Sequence, residues 1–434
     1  MHFWQIKGMN IPSDTSPICD PRGKGFRSRS TVANLQALIS NHVSPLTSEK
    51  CDTRDGFQRV LAQSIISEKP IPPFDRAAMD GFALKADETF GSDHYTPTIF
   101  TRVGHSRPGL AFSGIVKTGE AVAIATGAPI PDGTDAVVPV EFTEINDNQI
   151  KVRESVTPGR HIGKTGEDVM PGIQLMNEGR VLRPQDLGLL SGLGLSQISV
   201  IKKPKIAILI TGNEILPAFE SGSEHKIADM NSPMLISLVE RDGGVPFFIG
   251  PVWDIPEILG SMISELASDP KIDAIFINGG SSTGPEDYAP SILANQGQLL
   301  AHGVAIRPAS PTGFGLIGST PVLLLPGNPV SCLCAYDFFG CRIVRQLSGR
   351  NPEWPYLKKQ MQLAQKVSSV LGRMDYVRVQ IRNGPSGEMI YPLAVGGASI
   401  LSGTIRADGF IVVPDDLEGY PEGTELTVWC YDIP

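Results

Sequence analysis

The pattern of apolar positions changes several times along this chain. From Thr31 a helical period carries Val32, Leu35, Leu38 and Ile39 on one face, with Thr31 or Ser30 placed to cap it. Between residues 70 and 165 the apolar segments are short and broken by Gly and Pro, as in TGEAVAIATGAPIPDGTDAVVPVEFTE and NQIKVRESV, which predicts an all-β insert. RVLRPQDLGLLSGLGL then predicts a short helix opened by Pro184 and closed near Gly192 or Gly194. Over residues 204–348, KIAILITG and DAIFINGG read as buried strands, and SPMLISLVERDGG and IPEILGSMISELASDP between them as helices. Strands that alternate with helices and end in Gly-rich loops predict a doubly wound α/β sheet, whose ligands sit past the carboxyl ends of the strands. After about residue 350 alternation returns in DYVRVQIRN and ELTVWCY, predicting a small C-terminal β domain.

Composition narrows the picture. The 434 residues exceed a single core, which stops growing at roughly 250–300 residues. A make-up of 41% hydrophobic and 19% charged residues excludes wholesale disorder, while 46 Gly and 36 Pro favour many turns and short elements. The formal net charge of -9 argues against a duplex nucleic-acid partner, so an anionic ligand requires a local basic or backbone-amide site. Six cysteines form no CxxC pair and read as reduced thiols; Cys332 and Cys334 diverge by about 200° on a helix, which points to core packing. No apolar run reaches the ~18 residues of a membrane span, and MHFWQIKGMN lacks a secretory core, leaving the cytoplasm as the expected location. Residues 1–30, with the RGKGFRSRS cluster, read as an extended arm.

Four clusters join turn residues to carboxylates, and a fifth is a rigid proline turn. PPFDRAAMDGFAL (72–84) sets Asp75 and Asp80 around a turn before a strand. ATGAPIPDGTDAVV (125–138) ends an apolar run in Thr126 and Gly127, where a hydroxyl and open amides can meet a phosphate. TGEDVMPG (165–172) holds Glu167 and Asp168, which suit either a divalent ion or a polar hairpin. TGNEILP (211–217), IADMNSPML (227–235) and NGGSSTGPEDY (278–288) bring Glu214, Asp229 and Asp287 to the expected ligand edge beside Gly279, Gly280 and Ser281. Hard oxygens for Mg²⁺ next to amides for an anion are what a metal–phosphate site needs. LLLPGNPVS (323–331) ends a buried strand in a rigid turn, with Asn328 or Ser331 suited to cap the next helix.

Taken in order and spacing, these motifs resemble those of the molybdopterin molybdenumtransferases of the MoeA type, to which the E domain of gephyrin also belongs, over roughly residues 31–432. The resemblance implies a multi-domain, elongated α/β chain, usually a homodimer, with a molybdopterin-binding-like domain, a β-rich insert and a C-terminal β domain. The organisation expected is an arm at 1–30, a linker and dimerisation domain at 31–70 with 166–203, the insert at 71–165, the α/β domain at 204–348 and the β domain at 349–434. The implied activity inserts molybdate into adenylylated molybdopterin with release of AMP, dependent on Mg²⁺. The implied catalytic residues are Asp80, Thr126, Asp168, Glu214 and Asp287, and Glu214, Asp229 and Asp287 the metal ligands. Substrate contacts are expected from Gly279, Gly280, Ser281, Arg307, Pro326, Gly327, Asn328, Pro329, Arg378 of GRMDYVR and Ser399 of GGAS. Implied protein partners are a molybdopterin adenylyltransferase and recipient molybdoenzymes, with no nucleic acid and no membrane. Where the family shows Lys-Pro-Gly-Lys-Pro, this chain has Arg307-Pro308-Ala309-Ser310-Pro311; Gly303 replaces a frequent lysine and Asn213 a frequent aspartate. A pterin-nucleotide hydrolase and a non-catalytic pterin-binding scaffold are the alternative readings.

Overall fold

The computed structural model describes residues 26, 29–223, 225–384, 387–393 and 399–431, so most of the expected N-terminal arm lies outside the described residues. The chain forms two compact units: residues 50–57 with 61–199, and the remainder.

Helix α1 (Val32–His42) belongs to the larger unit. Thr31 rather than Ser30 caps it, accepting from the Asn34 amide at 3.1 Å, and Val32, Leu35 and Ile39 are buried. The smaller unit is built on a six-stranded sheet of β1 (Gly81–Leu84), β2 (Thr98–Ser106), β3 (Glu120–Ile124), β4 (Ala136–Pro139), β5 (Thr143–Asn146) and β6 (Gln149–Val152), in the order β4-β1-β3-β2-β6-β5. Its core is Phe82, Leu84, Phe100, Val138 and Ile150. Short antiparallel pairs, Arg76–Ala77 with Ile162–Gly163 and Ile65–Ile66 with Gln174–Met176, tie the segments that flank the sheet. Helix α2 (Pro184–Gly192) starts on Pro184, as predicted, and its Asp186 reaches back to accept from the Arg183 amide at 2.9 Å. The chain leaves it through Gly194 at φ +75.

In the larger unit, β7 (Lys205–Thr211), α3 (Asn231–Arg241), β8 (Val245–Val252), α4 (Pro256–Ser268), β9 (Ala274–Asn278), α5 (Ala289–Gln296), β10 (Gln298–His302), β11 (Ile306–Arg307), β12 (Gly313–Ile317) and β13 (Thr320–Leu325) follow one another. The sheet order is β8-β7-β9-β13-β12-β10, parallel through β13 and antiparallel beyond. The apolar run KIAILI is continuous because both faces are covered: Ile206, Ile208 and Ile210 enter one core, Ala207 and Leu209 the other. Chain order reverses between β7 and β9, so the loops after these two strands flank the switch point at which ligands bind in such sheets. Helix α6 (Pro329–Ala335) runs through a π turn at Tyr336–Gly340 into α7 (Cys341–Leu347). Cys332 and Cys334 are fully buried in this segment, in keeping with a packing role.

The C-terminal strands β14 (Leu357–Leu363), β15 (Met374–Gly384), β16 (Gly387–Pro392), β17 (Gly409–Val413) and β18 (Glu425–Cys430) close through a β15–β17 pairing, and β11 adds to β15 in parallel. Helix α8 (Leu401–Ile405) connects β16 to β17. Among the described residues no helix is long and apolar enough to cross a membrane.

The π turn places Asp337, which is 1% exposed, in a closed polar network. Tyr356 Oη donates to it at 2.8 Å and Tyr376 Oη at 3.3 Å, with an Arg241 nitrogen at 3.6 Å. Removing the carboxylate would leave the Tyr356 hydroxyl without its acceptor, while Arg241 keeps Asp242 at 2.8 Å and Tyr376 keeps Tyr431, so Asp337→Ala is expected to cost about 1–3 kcal/mol. Urea unfolding of both chains checks this; a loss no larger than that of an exposed-site alanine would contradict it.

Candidate functional site

In the smaller unit, three motifs that are distant in sequence are joined through the backbone. Ala77 N donates to Ala128 O at 2.9 Å, Gly127 N to Ala77 O at 2.8 Å, and Gly166 N to Pro72 O at 2.9 Å. Asp80 and Thr126 are thereby brought together. The Asp80 carboxylate accepts from Thr126 N at 2.6 Å and from Thr126 Oγ1 at 2.9 Å, and both bonds hold its pKa below the usual carboxylate range. Asp75 accepts from Lys164 Nζ at 2.8 Å and from Thr165 N and Oγ1, which lowers its pKa to about 2. Glu167 pairs with Arg76 at 3.2 Å. Asp168 is exposed and donates its amide to Ile71 O at 3.1 Å. Three carboxylates around a turn are thus latched to cations and amides, with the exposed Thr126–Asp80 pair at the surface.

In the larger unit, the carboxyl edge of the sheet carries a second constellation. Gly279 has φ +99, and a Cβ there would stand 2.2 Å from Thr211 O, so only glycine lets these two loops meet. Gly280 follows at φ +55. The N–H groups of Gly280, Ser281, Ser282 and Thr283 donate to no acceptor among the described residues. Amides without a protein acceptor next to positive-φ glycines are the groups from which anion-binding concavities are built. Asn278, 2% exposed, donates to Pro326 O at 2.7 Å; Asn231 donates to Asn278 Oδ1 at 2.8 Å and to Gly327 O at 2.7 Å. The rigid Pro326-Gly327-Asn328-Pro329 turn is fixed in this way. Asn328 occupies the cap position of α6 through its carbonyl, without the side-chain bond expected of a capping Asn.

Asp229 is 5% exposed and caps α3, its Oδ1 accepting from Asn231 N at 2.9 Å and Ser232 N at 3.0 Å. Its Oδ2 is buried without a partner, as is Asn231 Oδ1. A carboxylate oxygen in that position suits a cation. Glu214 is exposed, on a segment paired in parallel with the one that leads into Asp229. Asp287 is engaged within its own loop, accepting from Gly284 N at 2.6 Å. Among the described residues no three His, Cys, Asp or Glu side chains are gathered to hold a metal, so the expected three-carboxylate site is not formed by protein groups alone. Asp229 and Asp287 are each engaged by amides of their own segment. Mg²⁺ commonly binds through one or two carboxylates and takes its remaining oxygens from water and substrate, which Asp229 fits.

Arg307 lies on β11 and pairs with Asp375 of β15, a carboxylate 1% exposed that also accepts from Ser369 Oγ at 2.8 Å and Arg373 Nε at 3.2 Å. The Arg307 side chain remains 37% exposed. Ala309, where the resemblance expects Gly, keeps a glycine-like φ of +86. Arg378 is buried and donates to Ile400 O at 3.3 Å and Thr404 Oγ1 at 3.2 Å, anchoring α8. Ser399 is exposed; Gly396, Gly397 and Ala398 before it lie outside the described residues.

Known proteins match this arrangement over most of its length. Residues 30–194 match the MoeA N-terminal region (domain I and II), residues 207–346 the model described as Probable molybdopterin binding domain, and residues 360–431 the MoeA C-terminal region (domain IV). A molybdopterin biosynthesis protein of Methanocaldococcus jannaschii is 31% identical over 389 residues, covering 88% of this chain and 92% of the relative. The chain belongs to the MoeA family. Other MoeA relatives include molybdopterin molybdenumtransferase 2 of Mycobacterium tuberculosis, 29% identical with 85% of this chain and 92% of the relative covered. The solved molybdopterin biosynthesis MoeA protein of Pyrococcus horikoshii superposes with a TM-score of 0.80 at 30% identity, over 93% of this chain and 100% of that one.

Some residues at this MoeA-type edge escaped sequence reasoning. Asp254 follows β8, accepts from Thr211 Oγ1, and donates its amide to Asn213 Oδ1 at 3.1 Å. Its signal was VPFFIGPVWD, an apolar run closing on an acid. Pro246 and Pro251 disguise that run as a loop, and they are tolerated because β8 is an edge strand. Asn231, Asn278 and His302 look like ordinary polar residues until the fold buries them.

The Asp75 pKa yields a pH test. A carboxylate whose folded pKa is depressed adds stability that is present above its unfolded pKa and lost as pH falls through the folded one, here from near 4 towards about 2. The gap in urea midpoint between wild type and Asp75→Asn is therefore expected to narrow as pH is lowered from 5 to 2. A gap independent of pH would contradict the pairing with Lys164 and Thr165.

Proposed function

We propose that this protein is a molybdopterin molybdenumtransferase, taking adenylylated molybdopterin and molybdate to molybdenum cofactor and AMP. The observation that carries the reading is the run of open amides from Gly280 to Thr283 at the switch point, beside a buried Asp229 with a free oxygen. Both substrates are anions, and the chain as a whole is negative, so recognition has to be local. The names borne by the mycobacterial relative and by the Bacillus subtilis relative, 28% identical, support the same reading.

In this proposal the amides of Gly280, Ser281, Ser282 and Thr283 bind phosphate oxygens of the pyrophosphate link, with Gly279 permitting the approach. Asp229, with Glu214 and Asp287 directly or through water, would hold Mg²⁺, which when bound supplies charge neutralisation for those oxygens. Asp254 adds a further carboxylate at this edge. The Pro326–Pro329 turn shapes the crevice through its bonds to Asn231 and Asn278. Arg307, Arg378 and Ser399 are the proposed substrate contacts of the C-terminal part. Asp80, Thr126 and Asp168 are the proposed catalytic residues of the smaller unit, where the depressed pKa of Asp80 keeps it an anion that orients the Thr126 hydroxyl. The protein is proposed to act in the cytoplasm as a homodimer. Support for a second copy comes from edge strand β8, where Val245, Phe247 and Phe248 are 42%, 39% and 39% exposed. A molybdopterin adenylyltransferase and recipient molybdoenzymes are the proposed protein partners.

Asp229→Asn is the most informative substitution, because asparagine still caps a helix but has lost the charge. Its melting temperature should stay near wild type while AMP release falls on the order of 100-fold. Undiminished AMP release would remove Asp229 from the chemistry. For Arg307→Ala, loss of a charge-assisted bond to substrate is expected to lower kcat/KM roughly 10- to 150-fold, with Arg307→Lys recovering part. If Arg307→Ala lowers only the melting temperature, the side chain serves Asp375 and not the substrate.

A further inference from the structure

Phe26 rests on His302, with ring centroids 5.1 Å apart at 60°. Backbone bonds hold Ser30 beside the same loop: Ser30 N donates to Gly303 O at 3.0 Å, and Ala305 N donates to Ser30 O at 2.8 Å. Gly303, at φ +87, is what makes room, since a Cβ there would stand 2.4 Å from Phe26 Cδ1. The Arg29 guanidinium carbon lies 5.6 Å from the Phe26 centroid. Beneath this cover His302 is 7% exposed, and its Nε2 is 2.8 Å from Ser281 O. A carbonyl only accepts, so Nε2 carries the proton and donates.

Ser281 lies within the run of open amides. Holding its carbonyl fixes the plane of the Ser281–Ser282 peptide, and the Ser282 N–H, trans to that carbonyl, is directed away from His302. Parallel N–H dipoles repel one another when no anion is bound, so such a loop needs an outside restraint to stay in its binding shape. A hydrogen bond shielded from water is a stronger restraint than an exposed one.

We propose that Phe26 and His302 form a positioning relay in which the Phe26 ring shields His302, and His302 holds the Gly280–Thr283 loop in its anion-binding conformation through the Ser281 carbonyl. The relay rests on the reading of that loop as the phosphate cradle given above. It gives Phe26 a role in substrate affinity, with a phosphate-bearing ligand as the species that senses it.

The test uses the full chain with Phe26→Ala, His302→Ala and His302→Gln, because the glutamine amide can donate where Nε2 does. Hydrogen exchange of the 279–284 backbone is followed by mass spectrometry, and kcat and KM are measured with adenylylated molybdopterin. Both alanine variants are expected to speed exchange of the bonded Gly279 and Gly284 amides that bracket the open ones roughly tenfold. They should raise KM on the order of tenfold with kcat within about twofold, the signature of lost uniform binding. His302→Gln should recover most of both effects. Unchanged exchange in the two alanine variants overturns the relay whatever the kinetics show. So does a His302→Gln variant that behaves like His302→Ala, since ring packing and not the donated bond would then be responsible. Faster exchange with an unchanged KM overturns instead the reading of the loop as the cradle, and with it the relay's part in substrate affinity.

Discussion

The loops after β7 and β9 approach so closely that a Cβ at Gly279 would lie 2.2 Å from Thr211 O, and the backbone at Gly279 takes a φ of +99 that only glycine adopts without strain. Everything proposed for the α/β edge follows from that contact. It turns the chain sharply enough that the amides of Gly280 to Thr283 find no partner among the described residues, and it brings Thr211 beside Asp254 and Gly280. The strands beneath can hold it because Ile206 to Ile210 and Ala274 to Ile277 are nearly fully buried, which leaves their carboxyl ends little freedom to spread.

A polar latch completes the edge. Asn278 ends β9 inside the protein and ties down the Pro326 carbonyl, while Asn231 reaches both Asn278 and the Gly327 carbonyl. Three loops from different parts of the chain are therefore fixed by side-chain amides whose donors are satisfied. What remains unsatisfied is acceptor capacity, on Asp229 Oδ2 and Asn231 Oδ1. Buried acceptors without donors are costly to fold, and they are a common mark of a place where a ligand or ion completes the structure.

Much of this was legible in the sequence, and the reason differs by element. KIAILI and DAIFI announce themselves because both faces of a parallel strand are covered, and the glycines that follow mark the turns that parallel strands require. The helix over Pro184–Gly192 was legible from its proline and terminal glycines. Strand β8 was hidden by its prolines, and Asp254 with it. Long-range pairings carry no local signal: Thr126 bonds to Asp80 across 46 positions, and Arg307 to Asp375 across 68. The pattern placed Glu214, Asp229 and Asp287 at one edge but could not say that Asp229 and Asp287 would be engaged by amides of their own segments, with the three not gathered around one point.

The central claim is that this edge supports molybdenum insertion coupled to loss of AMP, and a reconstitution tests it most directly. Purified protein is incubated with adenylylated molybdopterin, molybdate and Mg²⁺, and AMP and molybdenum-bound cofactor are both quantified. The account predicts that the two products accumulate together in equal amounts and that AMP release depends on molybdate. AMP released without metal-bound cofactor would identify a pterin-nucleotide hydrolase, and binding of substrate with neither product would identify a scaffold; either result contradicts the account.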